Sequence, residues 1–289
     1  MGGGNSKSGM PPAADVTGSA SPVPERDSAQ LIRRVLAGLV MAPVAIAIVW
    51  FGGRPFSALI AFACIMLVFE WTRLVEKAEF SSGFYILSFS AISSVFLAAS
   101  GYYAYAYAGA LIGGLFSMVM ERTAGRASIW PLIGVFYIIM PCIALVWIRA
   151  EPDYGRSLVI FLFAAVWATD IGAYVTGKSL GGPLLAPAIS PGKTWAGTIG
   201  GVAFGTLACG LLGLAGIGEG DHWRLAAIGS CLSVATVVGD LAESALKRHF
   251  GVKDSGGYIP GHGGILDRLD GMIFATVALA IVLYVYSLL

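Results

Sequence analysis

The stretch LDRLDGMIFATVALAIVLYVYSLL, residues 266–289, joins two kinds of chain within a few residues. Its head carries Asp267, Arg268 and Asp270, and the rest is apolar. A bilayer core is about 30 Å thick, so a helix needs about 20 apolar residues to cross it. Segment 270–288 meets that requirement. The same requirement is met at 35–53, 55–75, 84–100, 103–120, 129–149, 156–176, 197–217 and 223–247. Inside hydrocarbon a chain must satisfy its own backbone, which helices do within one segment. The expected fold is therefore an all-α polytopic membrane protein of about nine transmembrane helices, with the active-site loops cytoplasmic.

Composition agrees with this reading. The 289 residues are 57% hydrophobic and 12% charged, with mean hydropathy +0.79. A soluble domain carries about 25% charged residues. The formal net charge of +1 excludes the basic bulk of a nucleic-acid binder. Cys64, Cys142, Cys209 and Cys231 fall in apolar runs without a CxxC pair, so they read as small buried side chains. Residues 1–30 are rich in Gly, Ser and Pro and poor in large apolar groups. They are expected to form a disordered cytoplasmic tail, and no apolar signal-peptide core lies within them. The remainder divides into membrane helices over 31–150, spans one to five, and a catalytic region over 151–289, spans six to nine.

Charge sets the expected orientation. Nine spans put fourteen of the eighteen Lys and Arg on the side of the amino terminus, and leave Arg54, Arg149, Arg156 and Arg224 on the other. Cytoplasmic loops carry the excess of Lys and Arg, so the amino terminus and the polar loops after spans six and eight are expected to be cytoplasmic. A bacterial inner (cytoplasmic) membrane is the expected location.

Chemistry concentrates in those two loops. In GDLAESALKRHF, residues 239–250, Asp240, Glu243, Ser244 and Lys247 share one helical face. Carboxylates within a membrane are costly and usually face a protein cavity or a water path. The bland alternative is a simple pairing of either acid with Lys247. Beyond that helix, KDSGGYIPGHGGILDRLDG, residues 253–271, combines glycines that admit an anion to the backbone with Lys253, His262, Arg268 and two helix-start acids. Capping is the bland reading of Asp267 or Asp270 alone. His262 fits a phosphate donor, a proton carrier or a hinge. Asp240 and Asp267, at the ends of successive helices, are expected to converge on a Mg²⁺ ion, since hard oxygen ligands suit that cation. Asp170, Glu243 and Asp270 are further candidates for it. Lys247, Arg248, Lys253 and Arg268 are candidates for phosphate oxygens, with Gly263 and Gly264 in the anion-binding loop. In the first loop, SPGKTWAG offers Ser190, Lys193 and Thr194 as substrate contacts; an interfacial loop is its bland reading. No Walker A sequence is present. Glu70 in FEWTR is expected to pair with Arg73, and Pro141 to kink its helix.

The run SALKRHFGVKDSGGYIPGHGGILDRLD, residues 244–270, resembles the signature of the phosphatidate cytidylyltransferase (CDP-diacylglycerol synthase) family. The resemblance rests on Ser244, Lys247, Arg248, Lys253, Asp254, Gly256, Pro260, His262, Gly263, Gly264, Asp267, Arg268 and Asp270, and is strongest over 135–289. The first loop departs from the family pattern at Ile171, Gly192 and Ala196, where Thr, Lys and Glu are usual. The resemblance implies a Mg²⁺-dependent nucleotidyltransferase of phospholipid biosynthesis, in which CTP and phosphatidic acid give CDP-diacylglycerol and pyrophosphate. Asp240, Asp267, Lys247, Arg248, His262 and Arg268 would be catalytic; Ser190, Lys193, Thr194, Ser244, Lys253, Gly263 and Gly264 would bind substrate. The resemblance also leaves room for a monovalent cation, K⁺, at a second acidic position, and for a homodimer. Two other readings of the residues are a CTP-dependent lipid kinase of the polyprenol or phytol type and a cation-coupled transporter.

Overall fold

A computed structural model describes residues 43–123, 125, 129–217, 221–253, 255–256 and 264–287. Eight helices in this set are long and apolar enough to cross a membrane. They are α1 (Gly53–Glu76), α2 (Ser82–Ala99), α3 (Tyr103–Thr123), α4 (Trp130–Ala150), α5 (Gly155–Leu180), α6 (Trp195–Leu214), α7 (His222–His249) and α8 (Leu266–Ser287). These are spans two to nine of the sequence reading. Of the first span, residues 43–51 are helical, and the rest lies outside the described residues, as does the tail.

The breaks follow local chemistry. Ser81 caps α2 by accepting the Phe84 N–H at 3.0 Å, and Gly101 turns out of the same helix at φ 84°. Helix α4 crosses Pro141 through a π-helical turn at Val135–Ile139. A proline ring crowds the carbonyl four residues back, and a widened turn just ahead of it relieves that crowding. The expected kink is thus a π-turn within one continuous span.

The connection between α5 and α6 was expected to be a loop, but it contains a short hairpin. Strand β1 (Leu184–Ala186) pairs antiparallel with β2 (Ser190–Thr194), Leu184 opposite Thr194 and Ala186 opposite Ser190. Pro and Gly punctuation hid these strands, which are too short to show an alternating pattern.

Packing differs across the bundle. Helices α2 and α3 meet through small residues, with Ala106, Ala110, Gly114 and Ser117 buried on α3, whereas α1 and α4 meet through large side chains. The Trp71 ring stacks on Tyr137 at 5.5 Å, and its indole N–H donates to the Trp130 carbonyl at 3.1 Å. Leu87, Ile138, Ile139 and Ile143 are fully buried beside it. Helices α5 to α8 meet through small residues. The buried positions of α6 are Gly197, Gly201, Gly205 and Cys209, one on each turn. A methyl group on Gly201 would lie 2.8 Å from the Thr169 carbonyl oxygen of α5. Backbones at that separation accept no side chain between them, which is how small residues drive association in lipid. Cys64, Cys142 and Cys209 are buried as expected, but Cys231 is exposed on α7.

Candidate active site

One end of the bundle gathers the polar groups. The last turns of α1, α5 and α7, the first turns of α4 and α8, and the hairpin all meet there. Trp130 at the start of α4 packs on His249 and Phe250 at the end of α7, at ring distances of 5.2 and 4.8 Å. The opposite end holds Arg149, which donates to the Val49 carbonyl at 2.8 Å, and Arg156, which lies 4.4 Å above the Trp50 ring.

Gly239 and Gly271 bring α7 against α8 next to two of the acids. A methyl on Gly239 would sit 2.5 Å from the Asp270 carbonyl oxygen; one on Gly271 would sit 2.7 Å from Thr236 Cγ2 and 3.3 Å from Asp240 Oδ1. Asp240, Glu243 and Asp270 therefore lie within one another's electrostatic reach along this seam. Asp170 on α5 feels the charges of Asp240 and Lys193, which places it at the same site.

Two lysines hold the acids. Lys193 Nζ, brought in by β2, donates to Asp240 Oδ2 at 2.7 Å. Lys247 Nζ donates to Glu243 Oε2 at 2.9 Å and to Asp267 Oδ1 at 2.7 Å. Pairing of Glu243 with Lys247 along one helix face was the bland alternative; the bond to Asp267 extends it across to α8. Asp267 Oδ2 also accepts backbone N–H bonds from Gly264 at 2.9 Å and Ser255 at 3.3 Å.

The other expected site residues are placed as follows. Ser190 begins β2 and Ser244 is half-buried on α7. The Thr194 hydroxyl caps α6 by accepting the Gly197 N–H at 3.1 Å. Arg248 is exposed, and its Nε donates to the Ile189 carbonyl at 3.3 Å, which fastens the hairpin to α7. Lys253 and Arg268 are exposed beside the site, and Gly264 is buried. His262 and Gly263 lie outside the described residues. Of the family departures, Gly192 has open space around it and Ile171 is exposed, while the Ala196 carbonyl accepts the Thr176 hydroxyl at 3.2 Å.

Glu70 has a different partner from the expected Arg73, which instead lies 3.9 Å from Glu79. Glu70 is 3% exposed. Its Oε1 accepts the Ile265 N–H at 2.8 Å, and its Oε2 accepts the Leu266 N–H at 2.8 Å and the Ser255 hydroxyl at 3.2 Å. Helix starts leave backbone N–H groups unpaired, and these are stronger partners for a buried carboxylate than a guanidinium near water. Ser255 was likewise absent from the expected set.

Among the described residues, no three His, Cys, Asp or Glu side chains form a ready metal cluster. The donors nevertheless fit a hard divalent cation. All are carboxylate oxygens, and Glu243 Oε1 is buried without a hydrogen-bond partner.

Eight apolar helices with paired acids and lysines where their ends meet define a polytopic membrane protein with a polar site at one end of the bundle. The chain belongs to the cytidylyltransferase family, whose model matches residues 32–286. It is 36% identical to the phosphatidate cytidylyltransferase of Brucella suis over 257 residues, 85% of this chain and 90% of that one. It is 34% identical to the Pseudomonas aeruginosa protein of the same name over 269 residues, 88% of this chain and 97% of that one. Identity to the Bacillus subtilis phosphatidate cytidylyltransferase is 43% over 140 residues, 48% of this chain and 52% of that one.

Proposed function

We propose that this protein transfers the cytidylyl group of CTP to phosphatidate, giving CDP-diacylglycerol and pyrophosphate. The observation that carries the reading is the site itself: Asp240, Glu243, Asp267 and Asp270 with Lys193 and Lys247, at the helix ends of a chain belonging to the cytidylyltransferase family. A phosphatidate oxygen attacks the α-phosphorus of CTP, the bond from that phosphorus to the bridging oxygen breaks, and pyrophosphate leaves with the electron pair. The phosphate nucleophile is already anionic, so alignment and charge neutralisation supply most of the acceleration.

Lys193 and Lys247 are the groups to neutralise phosphate oxygens, exchanging a carboxylate for an incoming phosphate. Lys253, Arg268 and Arg248, exposed around the site, add positive charge at its mouth. Asp240 and Asp267 would hold Mg²⁺, with Asp170, Glu243 and Asp270 as additional oxygens and as candidates for a second, monovalent cation such as K⁺. When bound, Mg²⁺ supplies positive charge against the phosphate oxygens in the transition state. We assign the site end to the cytoplasmic side of a bacterial inner membrane, on the excess of Lys and Arg there.

The test is to give the purified protein radiolabelled CTP and phosphatidate in mixed micelles, with and without Mg²⁺. CDP-diacylglycerol and pyrophosphate formed only with Mg²⁺ are expected. Release of CDP with a phosphorylated lipid would replace the reading with a lipid kinase.

A further inference from the structure

We infer that Glu70, contributed by the first of the eight described spans, is a positioning residue for Asp267; the inference rests on the function proposed above. Two carboxylates grip the same short turn from opposite ends of the sequence. Glu70 takes the Ile265 and Leu266 N–H groups at the start of α8. Asp267 Oδ2 takes the Gly264 N–H just before them. Ser255 joins the two acids, giving its hydroxyl to Glu70 and its backbone N–H to Asp267. The turn therefore has no slack: its donors are divided between one acid that reaches the reaction site and one that does not.

The packing is equally tight. A methyl on Gly256 would lie 2.8 Å from Glu70 Oε1, and one on Gly264 would lie 2.6 Å from Glu70 Oε2. Glycine at these two positions lets the backbone close on the carboxylate. Among the described residues Glu70 makes no hydrogen bond or ion pair with Asp240, Glu243 or Lys247, so its influence on them passes through the turn and through Asp267, whose Oδ1 meets Lys247. Without Glu70, the Ile265 and Leu266 N–H groups and the Ser255 hydroxyl lose their acceptor. The turn then relaxes toward Asp267, the other carboxylate that its described residues touch, and draws Asp267 away from Lys247. Buried donors left unmatched are costly enough to force such a rearrangement.

The experiment compares wild type, Glu70→Gln, Glu70→Asp, Asp267→Asn and the double variant Glu70→Gln/Asp267→Asn in the full chain. Glu70→Gln keeps the volume but presents an NH₂ to one of the backbone donors. The expected result is a loss of at least tenfold in kcat, with KM for CTP and for phosphatidate within threefold of wild type, and partial recovery in Glu70→Asp. In the Asp267→Asn background, Glu70→Gln should lower the residual rate by less than twofold, because the residue through which it acts is already disabled. Hydrogen exchange should quicken at 264–268 and stay unchanged along α5 and α6. Full additivity of the two substitutions, or wild-type kcat in Glu70→Gln, overturns the inference. Should Glu70→Gln fail to assemble, Ser255→Ala, which removes only the shared hydroxyl, must show the same non-additivity with Asp267→Asn or the inference fails. Absence of CDP-diacylglycerol in the wild type would sink the proposed function instead, and the exchange data would still report whether Glu70 holds the turn.

Discussion

The contact of α1 with α4 and the packing of α5 to α8 solve the same problem, association in lipid, by different means. The first interlocks large rings and branched chains around Trp71, Tyr137 and Ile138. The second presses backbone on backbone at Gly201, Gly205, Gly239 and Gly271. A glycine seam fixes the spacing of two helices with little side-chain play, and Asp240 and Asp270 sit beside such a seam. Backbone contact suits helices that must hold charged groups within hydrogen-bond distance.

Substitutions can break this contrast or sharpen it. Asp267→Asn removes a carboxylate held by Lys247 and two backbone N–H groups, and CDP-diacylglycerol synthesis should fall by about 10²–10³-fold with the protein still assembled. Lys193→Ala removes the 2.7 Å bond to Asp240 and one phosphate-neutralising charge. It should lower kcat/KM for CTP by about 10–100-fold in steady-state assays, as loss of a charge-assisted bond implies. Gly201→Leu drives a side chain into the Thr169 carbonyl and should cost about 2–3 kcal/mol, read as a lowered unfolding midpoint in detergent together with lost activity. Trp71→Phe gives up the indole bond to Trp130, about 1 kcal/mol, and should leave activity within threefold. If Trp71→Phe abolished activity while Gly201→Leu spared it, the contrast between these two contacts would be wrong.

The spans were legible because hydropathy reports directly what lipid demands of a helix, and eight of the expected nine appear among the described residues, their ends displaced by up to four residues. The site loops were legible because charge is rare in this chain, so Asp240, Asp267, Lys193 and Lys247 stood out against their surroundings. The pairing of Glu243 with Lys247 was legible from their spacing, but the partners that come from other helices were not. The bond from Lys193 to Asp240 depends on a hairpin whose strands are too short to announce themselves. The glycine seam has a readable signal, Gly197, Gly201 and Gly205 at four-residue spacing. Glu70 shows the deepest limit. Local spacing offered Arg73 three residues away, while the true donors lie 195 and 196 residues further along the chain.

That separation has a consequence for biosynthesis. Glu70 leaves the ribosome early, and the N–H groups that satisfy it belong to the last of the described helices. Until α8 is inserted, α1 carries an acid with no backbone donor waiting for it, a state that membrane interiors penalise. A chain without α8 therefore leaves the Glu70 carboxylate at the end of α1 without these two donors. Insertion of α8 supplies those donors and, together with them, brings Asp267 to Lys247.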